Sequence, residues 1–165
     1  WRAAYRPGRV ECRAGVIAFS YLDVMHRRML ERSRPKFGLE KVEEPILQDL
    51  NEAWHRLDAW PEVPAGLRRL RQRFLLAPVS NGNISLMVDI ARRNDFHWDA
   101  ILGSEIAGDF KPKPRVYLSA CEAVDLPPGD CMMVAGHSID PPQAARNGPR
   151  NGPIRHPAPP RPAQT

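Results

Sequence analysis

The sequence contains no apolar run close to the roughly 20 residues that a bilayer-spanning helix needs, and no charged-then-apolar signal segment opens it. Its three cysteines, Cys12, Cys121 and Cys131, are odd in number and widely spaced, which excludes a closed disulfide framework and matches no metal-ligand spacing. The net charge is +5, but no basic run alternates with aromatic residues as in a nucleic-acid interface. These absences predict a cytoplasmic protein that binds neither membranes nor nucleic acids.

The first third of the chain has a helical pattern. Apolar residues recur at helical spacing in two groups, Leu22, Met25, Met29 and Leu30 in the first and Leu47, Leu50 and Trp54 in the second. Pro35 and Gly38 separate the groups, and no strand pattern accompanies them. Residues 1–59 are therefore predicted to form a small, all-helical unit.

From residue 60 to residue 140, short apolar runs alternate with amphipathic helices. Strands are predicted over Phe74–Val79, Ala100–Leu102 and Cys131–Ala135. Helices are marked by Leu67 and Leu70, by Ile84, Val88 and Ala91, and by Val116, Ala120 and Val124. Because neighbouring parallel strands need helical crossovers, this alternation predicts an α/β core with a parallel sheet.

The composition changes again after Asp140. Residues 141–165 hold 8 of the 18 prolines and only one large aliphatic residue, Ile154. Proline cannot donate to a strand ladder, so this stretch is not expected to supply a central strand. We predict a disordered tail that begins with a short helix over Gln143–Arg146.

Three polar clusters follow predicted strands. Ser80-Asn81-Gly82 comes after the strand that ends at Val79, Lys111-Pro112 follows the second strand after a loop, and Asp140 follows the third. Each cluster alone is as typical of a turn or a helix cap as of a site. Because the carboxyl ends of parallel strands share one edge, the three together predict one site that binds an anion or an ionised carboxylate, with Lys111 as its cation and Asp140 as the ion partner of Lys111.

These segments resemble the motifs of the haloacid dehalogenase (HAD) superfamily. Val79-Ser80-Asn81-Gly82 is similar to the second motif, Phe110-Lys111-Pro112 with Pro114 and Tyr117 to the third, and the apolar strand leading to Asp140 to the fourth. The opening Trp1-Arg2-Ala3-Ala4-Tyr5 and the stretches at Trp54–Leu57 and Trp60–Pro64 resemble type II haloacid dehalogenases. The resemblance implies a HAD-like Rossmannoid sheet over residues 60–140 with a helical cap over residues 1–59.

The resemblance also implies an activity, the hydrolytic removal of halide from short 2-haloalkanoic acids through a covalent aspartyl ester. By its motifs, Arg2 receives the halide, Ser80 and Asn81 bind the substrate carboxylate, and Lys111 offsets the charge of the nucleophile. Asp140 and Tyr117 support these groups, while His137 makes a hydrogen bond in the same loop. No cofactor is implied, and a homodimer is expected from the family alone. His55 and His97 have no candidate partner in the sequence and are expected to be structural.

The sequence departs from this pattern at its start. The first motif, an apolar strand that ends in Phe-Asp and supplies the nucleophile, is missing, and Asp23, Asp89 and Asp99 fall within or beside helical segments. We therefore expect this chain to be a truncated, poorly stable and inactive fragment. A damaged or misread gene would explain both this and the proline-rich end.

Two alternatives remain. A magnesium-dependent phosphatase of the same superfamily would need a second acid beside Asp140, where the sequence has Ala135 and Gly136. A noncatalytic remnant would use the helical segment, with Trp54 and Trp60, only as an interaction surface.

Overall fold

The computed structural model describes residues 19–135 and 144–153. Its helices are α1 (Leu22–Ser33), α2 (Glu44–Asn51), α3 (Val63–Arg71), α4 (Ile84–Arg93), α5 (Ser104–Ala107) and α6 (Pro114–Glu122). Short 3-10 helices span Pro35–Phe37, Glu52–Arg56 and Pro128–Asp130. The strands are β1 (Val79–Ser80), β2 (Leu102–Gly103), β3 (Met132–Ala135) and β4 (Arg150–Pro153).

Helix α1 forms where the apolar spacing predicts it. Leu22, Met25, Met29 and Leu30 lie on one buried face, because residues three and four apart fall on the same side of a helix. The helix ends at Ser33, and Arg34 next to it donates from its backbone N–H to the carbonyls of Leu30 and Glu31. The helical pattern of this part of the chain is thereby confirmed.

The strands form two parallel pairs. In the first, Val79 lies opposite Leu102, and Ser80 lies opposite Gly103. In the second, β3 runs beside β4 from Met132 to Ala135. Among the described residues, no strand joins the two pairs into one sheet. Parallel strands with helical connections confirm the predicted α/β fold.

The first predicted strand was placed too early in the sequence. Phe74 and Leu75 are not buried strand residues, since their exposed fractions are 61% and 50%. The regular ladder starts only at Val79, because Pro78 has no N–H to donate and the N–H of Leu76 is bound by the carboxylate of Asp99 at 2.9 Å. Pro78 contributes only its carbonyl, which accepts from the N–H of Leu102 at 3.0 Å.

The predicted disordered tail is wrong for residues 150–153. This segment forms β4, which begins where the N–H of Arg150 donates to the carbonyl of Cys131 at 2.8 Å. Among the described strands, β4 pairs only with β3, so it is an edge strand. An edge strand tolerates proline because one of its sides needs no backbone hydrogen-bond donors. Ala144, shortly before it, is fully buried. Residues 144 and 145, within the predicted short helix over Gln143–Arg146, are helical, and residues 146–149 lead from them to β4.

Phe110 connects the helical unit with the α/β core. Its side chain is 1% exposed and packs with Met25 and Met29 of α1 in one buried cluster. Phe19 lies against this cluster, with its ring centroid 5.0 Å from that of Phe110. The loop that carries Lys111 is thus anchored in the helical unit by the residue directly before it.

Within residues 19–135 and 144–153, no helix is long and apolar enough to cross a membrane. Cys121 and Cys131 both carry free thiols. The exact boundary between the helical unit and the core, at residues 59 and 60, stays a prediction.

Candidate functional site

The turn after β1 presents the hydroxyl of Ser80. Strand β1 ends at Ser80, and the backbone N–H of Gly82 donates to Ser80 Oγ over 2.9 Å. This bond occupies the backbone N–H of Gly82. Because Oγ accepts from Gly82, its own hydrogen can be donated to an anion in front of the turn. The hydroxyl of Ser80 is therefore the candidate anion donor of this turn.

Asn81 ties three segments of the site together. Its side-chain oxygen Oδ1 accepts a hydrogen bond from Ser104 Oγ at 2.7 Å and another from the backbone N–H of Lys111 at 2.8 Å. Ser104 begins α5 directly after β2 and is 1% exposed. Asn81 thus fixes the distance between the Ser80 turn and the Lys111 loop, which brings the first and second polar clusters next to one another.

Gly103 allows the second strand to approach Ser80. A Cβ atom at Gly103 would lie 2.1 Å from the carbonyl oxygen of Ser80 and 2.6 Å from its nitrogen, far inside van der Waals contact. Gly103 also has a φ of 133°, which side-chain-bearing residues rarely adopt. The position of Ser80 at this sheet edge depends on the absence of a side chain at residue 103.

The start of α4 is held by a carboxylate from α5. Glu105 Oε2 accepts from the backbone N–H of Ile84 at 2.6 Å, which satisfies one of the donors that a helix N-terminus leaves unpaired. Asn83 precedes the helix and is 6% exposed. The Ser80 turn is therefore fixed on its far side by a second polar contact between α4 and α5.

Lys111 and Tyr117 lie on the segment that follows Phe110. Lys111 is half-buried, and Tyr117, on α6, is 2% exposed. Helix α6 packs against both β1 and β2. The structure therefore brings Ser80, Asn81 and the backbone of Lys111 together at the end of β1, and Tyr117 lies on a helix that packs against the same strand pair.

Three other predicted site residues lie outside the described residues. These are Arg2, His137 and Asp140, and their proposed roles stay predictions. Among residues 19–135 and 144–153, no group of three or more His, Cys, Asp or Glu side chains is arranged to hold a metal ion.

The expectation that His55 and His97 have no partner was wrong. His55 Nδ1 lies 2.7 Å from Asp89 Oδ2 and its Nε2 lies 3.1 Å from Asp23 Oδ2, while His97 Nε2 lies 3.0 Å from Asp95 Oδ1. Asp23 and Asp89 are 32 and 34 residues away from His55 in the sequence, so no local spacing could have indicated these contacts. His97 and Asp95 are only two residues apart, and that contact could have been found.

Comparisons with known proteins agree with the motifs. A sequence profile described as a haloacid dehalogenase-like hydrolase matches residues 11–135. The crystal structure of the L-2-haloacid dehalogenase PA0810 superposes with a TM-score of 0.92 and 38% identity, covering 99% of this chain and 73% of that one. The defluorinating L-2-haloacid dehalogenase Rha0230 gives a TM-score of 0.92 and 34% identity, covering 100% of this chain and 68% of that one.

The chain is also 30% identical over 102 residues to (S)-2-haloacid dehalogenase H-109 of Pseudomonas putida, which covers 60% of this chain and 46% of the relative. It spans about half the length of the curated relatives that it matches. The profile covers well over half of the chain, and the solved structures cover nearly all of it. The chain belongs to the haloacid dehalogenase-like hydrolase family, on the branch of the type II 2-haloacid dehalogenases.

Proposed function

We propose that the protein hydrolyses the carbon–halogen bond of short 2-haloalkanoic acids, with a covalent aspartyl ester as intermediate. The observation that carries this proposal is the junction at Asn81, whose Oδ1 joins the Ser80 turn to the backbone of Lys111. It brings the backbone of Lys111 next to the turn that carries the Ser80 hydroxyl, which supports a shared role for Ser80 and Lys111. A substrate carboxylate needs such a donor, and a nucleophilic carboxylate needs such a cation.

In the proposed reaction, a carboxylate oxygen attacks the carbon that bears the halogen, forms a C–O bond, and expels the halide with the electron pair of the C–X bond. Water then adds to the ester carbonyl, which releases the 2-hydroxy acid and restores the carboxylate. Ser80 donates a hydrogen bond to the substrate carboxylate, and Asn81 keeps the turn in place. The charge of Lys111 favours the ionised form of the nucleophile.

The remaining roles are assigned to residues for which only the motif resemblance argues. Arg2 would stabilise the departing halide, and Asp140 would orient Lys111 or the hydrolytic water. His137 would donate a hydrogen bond within the same loop, and Tyr117 would support the site from α6. The names of the relatives specify (S)- or L-2-haloacids, and we infer the same stereochemistry for the substrate here. A homodimer stays a prediction.

The proposed nucleophile belongs to the first motif, and residues 1–165 do not contain that motif. We therefore expect the 165-residue chain by itself to release no halide. The decisive experiment attaches, through a flexible linker before Trp1, an apolar strand that ends in Phe-Asp followed by Tyr-Gly-Thr. The matched control carries Asn in place of the Asp of that strand.

The expected result is chloride release from (S)-2-chloropropionate by the Asp fusion and none by the Asn fusion or the unmodified chain. In a single turnover in ¹⁸O-labelled water, the ester route puts the label into the protein carboxylate and leaves the hydroxy acid unlabelled. Label in the hydroxy acid would show direct attack by water and contradict the covalent route. Equal turnover by the Asn fusion, or by the unmodified chain, would contradict the assignment of the nucleophile.

A further inference from the structure

His55 has a carboxylate oxygen at each of its two ring nitrogens. Nδ1 lies 2.7 Å from Asp89 Oδ2, and Nε2 lies 3.1 Å from Asp23 Oδ2. A neutral imidazole has only one N–H, and an ionised carboxylate has no hydrogen to donate. Both contacts can be hydrogen bonds only if the ring carries two protons. The geometry therefore selects the imidazolium form of His55.

The two carboxylates come from different parts of the fold. Asp23 lies in the first turn of α1, in the helical unit, whereas Asp89 lies on α4 of the α/β core. The side chain of His55, in the 3-10 helix Glu52–Arg56, is 14% exposed. His55 thus joins the helical unit to the helix that starts directly behind the Ser80 turn.

The other charged groups around His55 either form ion pairs of their own or also favour a positive charge on the His55 ring. The cavity beside it has a volume of about 560 Å³, and the charged or titratable residues along it are Asp23, Glu52, His55, Arg56, Asp89 and Arg93. Arg56 pairs with Asp49, and Arg93 pairs with Asp58. His26, on α1, interacts electrostatically with both Asp23 and His55. Its burial keeps that ring neutral, so it does not oppose a charge on His55.

Asp23 carries the connection onward to the Ser80 turn. The same Oδ2 atom that faces His55 accepts a hydrogen bond from Asn83 Nδ2 at 2.7 Å. Asn83 is 6% exposed and lies three residues after Ser80, at the start of α4. A chain of polar contacts therefore leads from His55 through Asp23 to Asn83 and to the turn that presents the Ser80 hydroxyl.

The electrostatics of His55 agree with its geometry. Burial lowers the pKa of the imidazole, but the hydrogen bond to Asp89 and the charge and hydrogen bond of Asp23 outweigh it, so the pKa of His55 is raised above its ordinary value. A raised pKa means that the folded state binds a proton that the unfolded chain has begun to lose.

We propose that His55 is a positioning residue, whose imidazolium joins Asp23 of α1 to Asp89 of α4 and thereby holds Asn83 and the Ser80 turn in the arrangement that receives the substrate carboxylate. The catalytic consequence rests on the proposed function, but the ionic bridge and its effect on the turn do not. Both can be measured on the 165-residue chain without turnover.

The test is an NMR titration of the 165-residue chain, with the imidazole of His55 assigned by the variant His55→Gln. We expect its titration midpoint above the ordinary value of about 6.5. We also expect the side-chain amide of Asn83 and the backbone amide of Gly82 to shift with the same midpoint. A His55 midpoint at or below the ordinary value, or Asn83 and Gly82 signals that do not follow it, would overturn the proposal.

Two variants separate the bridge from a general loss of structure. Asp89→Asn changes a half-exposed side chain, so this variant should still fold. We expect it to lower both the titration midpoint of His55 and the pH at which the Asn83 amide signal shifts. His97→Gln removes an exposed histidine that also contacts a carboxylate, and it should leave both midpoints unchanged. If His97→Gln moved the Asn83 titration as much as His55→Gln does, the bridge would not be its cause. Halide release plays no part in these outcomes, so failure of the proposed function is seen separately.

Discussion

The side-chain oxygen of Asn81 accepts the backbone N–H of Lys111 at 2.8 Å, across 30 residues of sequence. The same atom also accepts from Ser104 Oγ at 2.7 Å. One amide oxygen therefore sets the spacing between the end of β1, the start of α5 and the loop of the lysine. Asn81 was expected to assist substrate binding directly, and its contacts give it an organising role in addition.

Replacement of Asn81 should therefore cost more stability than replacement of one of its donors. Asn81→Ala leaves two donors unpaired, and we expect the free energy of unfolding to fall by about 2–3 kcal/mol, at about 1 kcal/mol or more for each lost bond. Ser104→Ala removes one bond together with its donor and should cost about 1 kcal/mol. Urea unfolding of the three proteins measures both values. A loss in Asn81→Ala no larger than in Ser104→Ala would contradict the role of Asn81 as a junction.

Gly103 provides a second test of how the Ser80 turn is built. Gly103→Ala would place a Cβ 2.1 Å from the carbonyl oxygen of Ser80, with a strained φ of 133°, so we expect a loss of about 3 kcal/mol or more. Backbone atoms cannot give way as the end of a flexible side chain can. The expected readouts are a lower urea midpoint and displaced amide signals at Ser80 and Gly82.

Two other glycines serve as controls for Gly103. A Cβ at Gly66, inside α3, meets nothing within 4 Å, and Gly66→Ala should stabilise the protein by about 0.5–1 kcal/mol. Gly108 has equal space but a φ of 65°, so Gly108→Ala should be mildly destabilising, by about 1 kcal/mol. We expect the loss of stability to increase from Gly66→Ala through Gly108→Ala to Gly103→Ala. The difference between the first two measures backbone strain, and the further loss at Gly103 measures the steric contact with Ser80. A Gly103→Ala variant as stable as Gly108→Ala would show that β2 does not press against Ser80.

The sequence predicts what depends on local pattern. The spacing of Leu22, Met25 and Met29 indicates α1 because a helix repeats its face every three to four residues. The position of Ser80 and Lys111 after strands places both at one sheet edge, and the Asn81 junction agrees. These features can be predicted from the periodicity of the apolar residues and the topology of parallel strands alone.

The sequence does not predict what depends on the identity of distant neighbours. The apolar run Phe74–Val79 has the composition of a strand. Because Pro78 has no backbone N–H to donate, however, the hydrogen-bonded ladder begins only at Val79. Strand β4 contains glycine and proline, and only its partner β3 makes it a strand. The link between Asp23 and Asn83 spans 60 residues, and neither residue type indicates it.

The position of Phe110 links packing to the site. Because its buried ring lies against Met25 and Met29, Phe110→Ala should leave a cavity between the helical unit and the core and cost about 3–5 kcal/mol. Phe37→Ala, at a ring that is 59% exposed, is the matched control and should change stability by less than about 0.5 kcal/mol. We also expect amide signals at Lys111 to move in Phe110→Ala. An unchanged Lys111 signal would show that the loop is held by Asn81 alone.

His26 should make the protein sensitive to acid. Its ring is 4% exposed and stacks on Trp54, with 4.8 Å between the ring centroids. Burial lowers the pKa of His26 to about 4, against an attraction from Asp23 and together with repulsion from a charged His55. Below about pH 6.5 the unfolded chain takes up a proton at this residue that the folded chain does not. Stability contributed by the neutral ring is therefore present above pH 6.5 and is lost as the pH falls toward 4.

The variant His26→Phe keeps a ring against Trp54 and removes the titration. Between pH 7 and pH 4.5 we expect the wild-type protein to lose about 2–3 kcal/mol more than His26→Phe, since each pKa unit is worth about 1.4 kcal/mol. Urea unfolding at both pH values gives the difference, and carboxylates elsewhere cancel because they are common to both proteins. His97→Phe, at an exposed histidine, should lose as much as the wild type. Equal acid sensitivity of His26→Phe and the wild type would mean that His26 is protonated within the folded protein, and its burial against Trp54 would not determine its charge.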